Sequence, residues 1–547
     1  MLLPDQSSCP DYASLRRDFA WAIPPGFNIA TLCCDVRALR EPDRPAILDA
    51  TGGGLLVTSF GALKERSDAL AAALAVRGLG RGDRFAILLP QSAEVAIAHM
   101  AAYKLGAIAL PLACLFGIDA LEHRLRDAGV KALVSDSAGL AKVRALTCGA
   151  MAGALPELEL LLCIDGADGD ALDFHKLIAD ADRHALPTWR AGAEDPALMI
   201  YTSGTTGLAK GALHAHRVLA GHLPGVQLPH DFFPQAGDRM WTPADWAWAG
   251  GLLNALLPAL YFGVPVVAHR APRFEPGQAF ELMERMGVRN AFVPPTALRM
   301  LRAVERPASR FKLNLRTLAS GGEALGAETF AWGKRELGLS INEFYGQTEC
   351  NLVLASCAAI GVSRPGAIGK PVPGHNVAVI REDGGVCAPH ELGQIAISRP
   401  DPVMFLGYWR QPDATNAKFI GDWMTTGDQG HVDEDGYVCF VGRDDDVITS
   451  SGYRIGPAEI EDCLLRHPAV ALAAVVGKPD ALRTEIVRAF IVLRDGFTPS
   501  KQLGADIQDY VRSRLSAHEY PRLVDFVDEL PMTTTGKIIR RLLRERE

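Results

Sequence analysis

The sequence has no excess of basic residues. Lys and Arg number 56 against 64 Asp and Glu, for a net charge of -8. That balance argues against nucleic acid or an acidic membrane surface as a partner, since both require a positive footprint. The local basic block Arg540-Arg541-Leu542-Leu543-Arg544 reads as a solvated helix face. Cys-x-x-Cys spacing is missing from the 11 cysteines, and the adjacent Cys33 and Cys34 are no zinc-ligand arrangement. Reduced structural thiols in a cytoplasmic protein are expected. The N-terminus has no charged stretch followed by an apolar run, so it does not read as a secretory signal. No window reaches the roughly 18 consecutive apolar residues of a membrane helix. Val95–Leu112 comes nearest, but His99 and Lys104 interrupt it. Internal repeats and low-complexity tracts are also absent.

What is present is an ordinary globular balance, 48% hydrophobic and 22% charged, over 547 residues. That length suggests two or more domains. Residues 1 to about 45 read as irregular, with a turn at Pro24-Pro25-Gly26 and a first helix beginning within Phe27–Val36. Ser59–Val76 has the spacing of an amphipathic helix, and Ser92 is placed to cap another that runs to Lys104, before Gly106. Short apolar strands are expected at 85–90, 132–134, 160–164, 197–200, 264–268, 291–293, 316–319 and 342–345. Strands alternating with helices imply a parallel sheet covered on both faces. From Val372 the pattern shortens to an antiparallel region with strands at 377–380, 393–398 and 437–441, and Thr425-Thr426-Gly427-Asp428 in a turn. The charged run Gly442–Asp446 marks the best boundary. Beyond it, a small α+β unit is expected, with helices at 458–467 and 503–515 and strands at 470–476, 486–493 and 523–527.

The stretch Tyr201–Gly211 sets three glycines among hydroxyl side chains. Gly204 and Gly207 let the backbone N–H groups approach a ligand. Thr202, Ser203, Thr205 and Thr206 can donate to anionic oxygens, and Lys210 adds a charge. This is the equipment of a polyphosphate loop, but not of a Walker A loop, because no Ser or Thr follows the lysine. His214 and His216, two residues apart on an expected helix, would not share a face, so a core or capping role is favoured over metal ligation. The aromatic run Trp241–Trp248, followed by Gly250-Gly251, suits an apolar substrate wall or plain packing. Ser320-Gly321-Gly322-Glu323, just after a strand, suits a flat ligand or a simple turn.

Taken in order, the loop, Tyr345-Gly-Gln-Thr-Glu349, Thr426-Gly-Asp428, Gly442-Arg443, Ser451-Gly-Tyr-Arg-Ile-Gly456 and Pro531-Met-Thr-Thr-Thr-Gly-Lys537 resemble the adenylate-forming enzymes. That group includes acyl-CoA synthetases, firefly-type luciferases and peptide-synthetase adenylation domains. Pro479-Asp-Ala-Leu-Arg483 and Tyr520-Pro-Arg522 look most similar to the medium-chain acyl-CoA synthetases and their acetate-activating relatives. One departure is Ala209, where the family usually has proline. The resemblance implies an α/β adenylation domain over residues 1–443, with parallel-rich sheets flanked by helices and a small antiparallel barrel-like region. A small mobile α+β domain over 444–547 would follow it. It implies ATP, Mg²⁺ and coenzyme A as cofactor and co-substrates, with a carboxylic acid activated as acyl-AMP and then passed to the thiol. The protein would be a monomer or homo-oligomer.

The resemblance also assigns roles. Thr202 to Lys210 would cradle the β- and γ-phosphates, Thr348 would donate to the α-phosphate, and Glu349 would hold Mg²⁺. Asp428 and Arg443 would take the ribose. Gly321, Gly322, Glu323 and Tyr345 would flank the adenine, and Glu343, Gly346 and Gln347 complete the ATP-binding set. Lys537 would bridge the carboxylate and α-phosphate in the first step. Asp445 would be the hinge that later brings Ser451, Gly452 and Tyr453 to the pantetheine tunnel, with Arg454 and Arg483 on coenzyme A phosphates. Acetate-specific relatives carry tryptophan at the position of Gly346. Glycine there, with Trp246, Trp248 and Gly250 as the other wall, favours a medium-chain or branched aliphatic acid over acetate. A benzoate-type acid is the alternative. An amino-acid-activating enzyme would need a carboxylate at Ala244, with Asp245 one residue off. A non-catalytic ATP-binding protein would not need Lys537, Glu349 and Asp428 intact.

Overall fold

Strand and helix alternate as the apolar spacing requires, and they assemble into four sheets among the described residues. The computed structural model describes residues 2–4, 11–147, 155–182, 185–186, 190–202, 208–271, 273–444, 446–450, 453–480, 484–515, 520–533 and 537–546. In the first sheet, the central strands Pro45–Asp49, Val266–Ala268, Met240–Trp241, Asn290–Phe292, Thr317–Gly321 and Ile341–Gln347 run parallel. Antiparallel partners, Leu56–Ser59 at one edge and Cys350–Ala355 then Lys370–Pro371 at the other, close it. The second sheet has a parallel centre of Arg84–Leu88, Ile108–Pro111, Ala132–Ser135, Leu160–Cys163 and Pro196–Thr202. Lys210–Ala215 then turns back antiparallel on Pro196–Thr202. Strands such as Ile108–Pro111 and Ala132–Ser135 are buried along their whole length, as expected where helices cover both faces.

The third sheet is antiparallel: Val377–Ile380, Gly393–Ser398, Trp423–Val432 and Phe419–Ile420, with Val438–Arg443 paired to Trp423–Val432. The fourth is built from later residues alone: Ile448–Ser450, Tyr453–Ile455, Val470–Asp480, Thr484–Leu493 and Leu523–Phe526, covered by helices Pro457–Leu465 and Lys501–Arg514.

Several local expectations change. Residues 1–45 are not wholly irregular, because Tyr12–Asp18 is a helix capped by Asp11, whose side chain accepts from Ser14 N at 2.8 Å. With Leu15 as its one buried residue, it carries no readable period. Ser92 precedes helix Ala93–Leu105 but caps nothing; its hydroxyl is buried without a partner among the described residues, and Glu94 occupies the first turn. Gly106, at φ 68°, ends that helix. Thr425–Asp428 lies inside strand Trp423–Val432 rather than in a turn; Gly427, at φ 75°, had imitated turn chemistry.

His214 sits on a strand, where positions two apart do share a face, so the helical argument about His214 and His216 does not apply. Burial pushes His214 down to about 3 and His216 to about 4, which keeps both neutral. The C-terminal arginines are not simply a solvated face. Arg540 pairs with Glu461 at 2.8 Å and Asp446 at 3.4 Å, and Arg544 also pairs with Asp446. These two carboxylates are each 9% exposed, and a buried carboxylate recruits a guanidinium.

Lys104, which broke the longest apolar run, is fully buried and paired with Asp35 at 2.8 Å and Asp68 at 2.6 Å. Burial opposes its charge, but Cys34, Asp35 and Asp68 outweigh that and raise its pKa. Lys104→Met leaves Asp35 without this cation and Asp68 with Lys64 alone, at 2.5 Å, and we expect a loss of about 3 kcal/mol in urea unfolding. An unchanged midpoint would show the cluster to be dispensable. No helix among the described residues is long and apolar enough to cross a membrane, and their nine cysteines are free thiols.

Candidate active site

Strands Ile341–Gln347 and Cys350–Ala355 form a hairpin whose two turn residues are Thr348 and Glu349. The turn is tight because Gly346 lies against the returning strand. An added Cβ there would overlap the backbone nitrogen of Leu352 and stand 2.7 Å from Asn351 Cα. Leu352 itself is held at φ 61°, a conformation that costs a non-glycine residue about 1–3 kcal/mol and concentrates at functional sites. With the returning strand in this position, packing against its main chain excludes a side chain at 346.

This hairpin meets the third sheet at Asp428. Tyr345 Oη donates to Asp428 Oδ2 at 2.5 Å, and Gln347 Nε2 donates to the same oxygen at 2.9 Å and to Thr426 O at 2.7 Å. Asp428 and Arg443 are direct cross-strand partners, with Arg443 Nε 3.9 Å from Asp428 Oδ1. Burial, then the charge of Asp428, holds the Tyr345 phenol well above its ordinary pKa, so it remains a donor. The result is a buried carboxylate, 6% exposed, with both oxygens aligned by neighbours and acceptor capacity left for a ligand.

A second cluster lies beside the first. Tyr408 donates its hydroxyl to Glu349 Oε1. Lys210 Nζ stands 5.1 Å from the centre of the Tyr408 ring. Thr202 and Lys210 are paired across the base of the loop, and His123 Nε2 holds the carbonyl of Ala209 at 2.7 Å. Glu349 is 7% exposed, and its Oε2 accepts no hydrogen bond from a described residue. A single carboxylate of this kind fits a hard divalent cation that takes its remaining ligands from phosphate and water. Lys418 belongs here too. Burial lowers its pKa; Glu349 and then Asp428 raise it, while Arg443 and Lys210 lower it. Motif reading missed both Tyr408 and Lys418.

Lys537 approaches from the far end of the chain. A Cβ added to Gly322, which sits at φ 98°, would be 3.9 Å from Lys537 Cε. The lysine's backbone is fixed by a bridge between Met532 and Ile538, and its N–H donates to Thr533 Oγ1 at 3.0 Å. Nearby, Glu323 accepts from Thr296 at 3.0 Å and pairs with Arg299 at 3.1 Å. Glu343 faces inward; burial pushes its carboxyl up to about 8, although Leu325 N donates to it at 3.2 Å. Helix Pro457–Leu465 touches the same region, where Asp462 Oδ1 accepts from Glu328 N at 3.4 Å.

The expected acyl wall divides. Trp246 is 1% exposed and packs in the main core, whereas Trp248 is half-buried, belongs to the neighbouring core and meets Phe116 edge-on at 5.5 Å. Small residues are matched to aromatic rings: Cβ atoms added at Gly250 and Gly321 would stand 3.0 Å from Phe292 and 2.5 Å from Phe344, whose centroids are 5.1 Å apart. Ser203, Gly204, Thr205, Thr206, Gly207, Asp445, Ser451, Gly452 and Arg483 lie outside the described residues. Tyr453 and Arg454 contribute backbone to strand Tyr453–Ile455.

Comparison with known proteins agrees with this arrangement. A family model described as AMP-binding enzyme matches residues 34–409, and one described as AMP-binding enzyme C-terminal domain matches 459–537. The human mitochondrial acyl-coenzyme A synthetase ACSM2B is 34% identical over 545 residues, 96% of this chain and 92% of that protein. The acetyl-coenzyme A synthetase of Bacillus subtilis (strain 168) is 34% identical over 89% of this chain and 84% of its own length. Among solved structures, the anthranilate CoA ligase AuaEII in complex with anthranoyl-AMP superposes with a TM-score of 0.86, at 28% identity, covering 95% of this chain and 97% of that one. The chain belongs to the AMP-binding enzyme family and is one of its AMP-forming acid–thiol ligases.

Proposed function

We propose that the chain is an acyl-CoA synthetase acting on a medium-chain or branched aliphatic acid. The observation that carries this reading is that Lys537 reaches Gly322, which follows the strand paired with the one leading to Tyr345 and Glu349, while Tyr345 in turn holds Asp428, so that segments spread over more than two hundred residues meet. In the first step, a carboxylate oxygen attacks the α-phosphorus of ATP. The bond to the β-phosphate breaks and pyrophosphate leaves. Asp428 and Arg443 hold the ribose, Thr202–Lys210 and Thr348 hold the phosphates, and Lys537 lies over the forming bond, where negative charge gathers. Glu349 would hold magnesium, which when bound supplies neutralisation of the phosphate charge. In the second step, the thiol sulfur attacks the acyl carbon, the bond to AMP breaks, and the thiol proton passes to solvent.

Lys537 occupies the approach that the thiol needs. We therefore take 1–443 and 444–547 as two units that rotate about Asp445, so that Ser451, Gly452, Tyr453, Arg454 and Arg483 can serve coenzyme A. In support, the fourth sheet shares no strand with the other three among the described residues. The cytoplasmic setting belongs to the same proposal, supported by the free thiols.

For the acid, the glycines at 250 and 321 face the rings of Phe292 and Phe344 rather than aliphatic side chains, while Gly346 lies against Asn351 and Leu352. The Phe292–Phe344 pair also favours a second reading, an aryl acid, in line with the likeness to an anthranilate ligase. An amino acid fits less well. Asp245 Oδ1 accepts from the N–H of Ala247 at 2.9 Å, and burial pushes its carboxyl up to about 6, which weakens it as a counter-ion for an ammonium. Thioester formation should be measured across acetate, straight-chain, branched and aromatic acids. Each added methylene is expected to raise kcat/KM about fourfold until the pocket is full. Acetate as the best substrate would contradict the pocket assignment, and benzoate as the best would select the aryl reading.

A further inference from the structure

Lys418 takes part in none of the motifs, yet the fold ties it to the nucleotide site from two sides. Its carbonyl accepts from the N–H of Thr425 at 2.7 Å and from the Thr425 hydroxyl at 2.9 Å. Thr425 lies on the strand that carries Asp428 three residues later. On the other side, Lys418 directly follows helix Pro412–Asn416 and Ala417. That helix rests on Tyr408, whose backbone N–H donates to Thr415 Oγ1 at 2.9 Å. Tyr408 is the residue bonded to Glu349. The Lys418 side chain thus starts between the strand of Asp428 and the Tyr408–Glu349 pair.

Its surroundings are unusual for a lysine. The side chain is half-buried, but its ammonium forms no ion pair with a described carboxylate. The charges that act on it are Glu349, Asp428, Arg443 and Lys210, all members of the candidate nucleotide site. Glu349 and Asp428 are themselves engaged by Tyr408, Tyr345 and Gln347. A partly desolvated cation without a paired anion is costly. An incoming polyanion removes that cost, because charge-assisted hydrogen bonds form in a site already shielded from water.

We propose that Lys418 is a second lysine contact, beside Lys210, for the phosphates of the bound nucleoside triphosphate. This rests on reading the Glu349–Asp428 cleft as the nucleotide site. Lys418 donates to non-bridging oxygens of the β- and γ-phosphates. It therefore distinguishes the triphosphate from AMP, and it helps hold pyrophosphate as that group leaves.

The test uses the full-length chain and magnesium-ATP without any acid, followed by calorimetry. Lys418→Met keeps the aliphatic stem and removes the charge, and Lys418→Arg keeps the charge. Met is expected to weaken ATP binding about tenfold or more while leaving AMP binding within about twofold, and Arg is expected to restore most of the loss. In turnover, KM for ATP rises and KM for the acid and for coenzyme A does not. Unchanged ATP affinity in the Met variant overturns the proposal. So does equal weakening of ATP and AMP, because that indicates a disturbed strand around Asp428 rather than a lost phosphate contact. Lys418→Gln gives the same comparison if Met does not fold. Because binding is read without turnover, the result stands apart from the ligase reading. That reading fails on its own if the wild type binds ATP but no acid releases pyrophosphate.

Discussion

Lys537→Ala is expected to slow acyl-adenylate formation about 100- to 1,000-fold while leaving thioester formation from supplied acyl-adenylate within about threefold. The first effect follows from position. The lysine's aliphatic end lies beside Gly322, and in the proposed reaction its ammonium bridges both reacting groups as charge passes from carboxylate to phosphate. Such a donor acts on the transition state, so its removal should lower kcat and leave KM for ATP nearly unchanged. The second effect follows from the two-unit account, in which the lysine has left before the thiol arrives. Fold damage does not account for the loss, because Lys537 is exposed and its backbone is fixed through Thr533, Met532 and Ile538. Rapid-quench measurement of each half-reaction separates the outcomes, and equal loss in both would refute the account.

Asp428→Asn should act on binding instead. The carboxylate receives Tyr345 Oη and Gln347 Nε2 on one oxygen. An amide can keep that oxygen as an acceptor, but its NH₂ group then replaces the second acceptor, toward Arg443 and the ribose. Loss of a charged acceptor in a buried site, and a donor set against a donor, should raise KM for ATP about 100-fold. KM for the acid should hold, since the side-chain partners of Asp428 are Tyr345, Gln347 and Arg443, none of them assigned to the acyl pocket. Titration with ATP and, separately, with the acid reads the difference. A parallel rise in both would mean that the substitution has disturbed the hairpin Ile341–Ala355, not a ribose contact.

Residues of the site that lie in contiguous motifs were legible because their chemistry is local. A run of hydroxyl side chains after an apolar strand, a Thr-Glu at a hairpin tip and a Gly-Asp pair each carry their own signature. Other features depend on long-range packing and were not. Tyr408 and Glu349 are 59 residues apart, and no spacing rule links them. Lys418 gains its meaning only when Thr425 and Tyr408 fix it beside two carboxylates. Ser92 has the right identity for a cap, but its hydroxyl does not reach the first turn. Gly427 has the backbone conformation of a turn inside a strand, which misled the reading of Thr425–Asp428. The helix Arg540–Arg544 looked solvated because Asp446 and Glu461, its buried partners, lie far away in sequence. At the level of sheets, most parallel central strands were predictable from uninterrupted apolar runs, but Pro45–Asp49 and the two-residue Met240–Trp241 were not, nor were the antiparallel partners Leu56–Ser59, Lys210–Ala215 and Cys350–Ala355.

The claim on which everything else depends is that the acid's own oxygen attacks the α-phosphorus. Labelling the carboxylate with heavy oxygen and analysing the products by mass spectrometry tests this directly. Attack at the α-phosphorus places one labelled oxygen in AMP and none in pyrophosphate, with the rest in the thioester. Label in inorganic phosphate, with ADP as the other product, would place the attack at the γ-phosphorus and contradict the account.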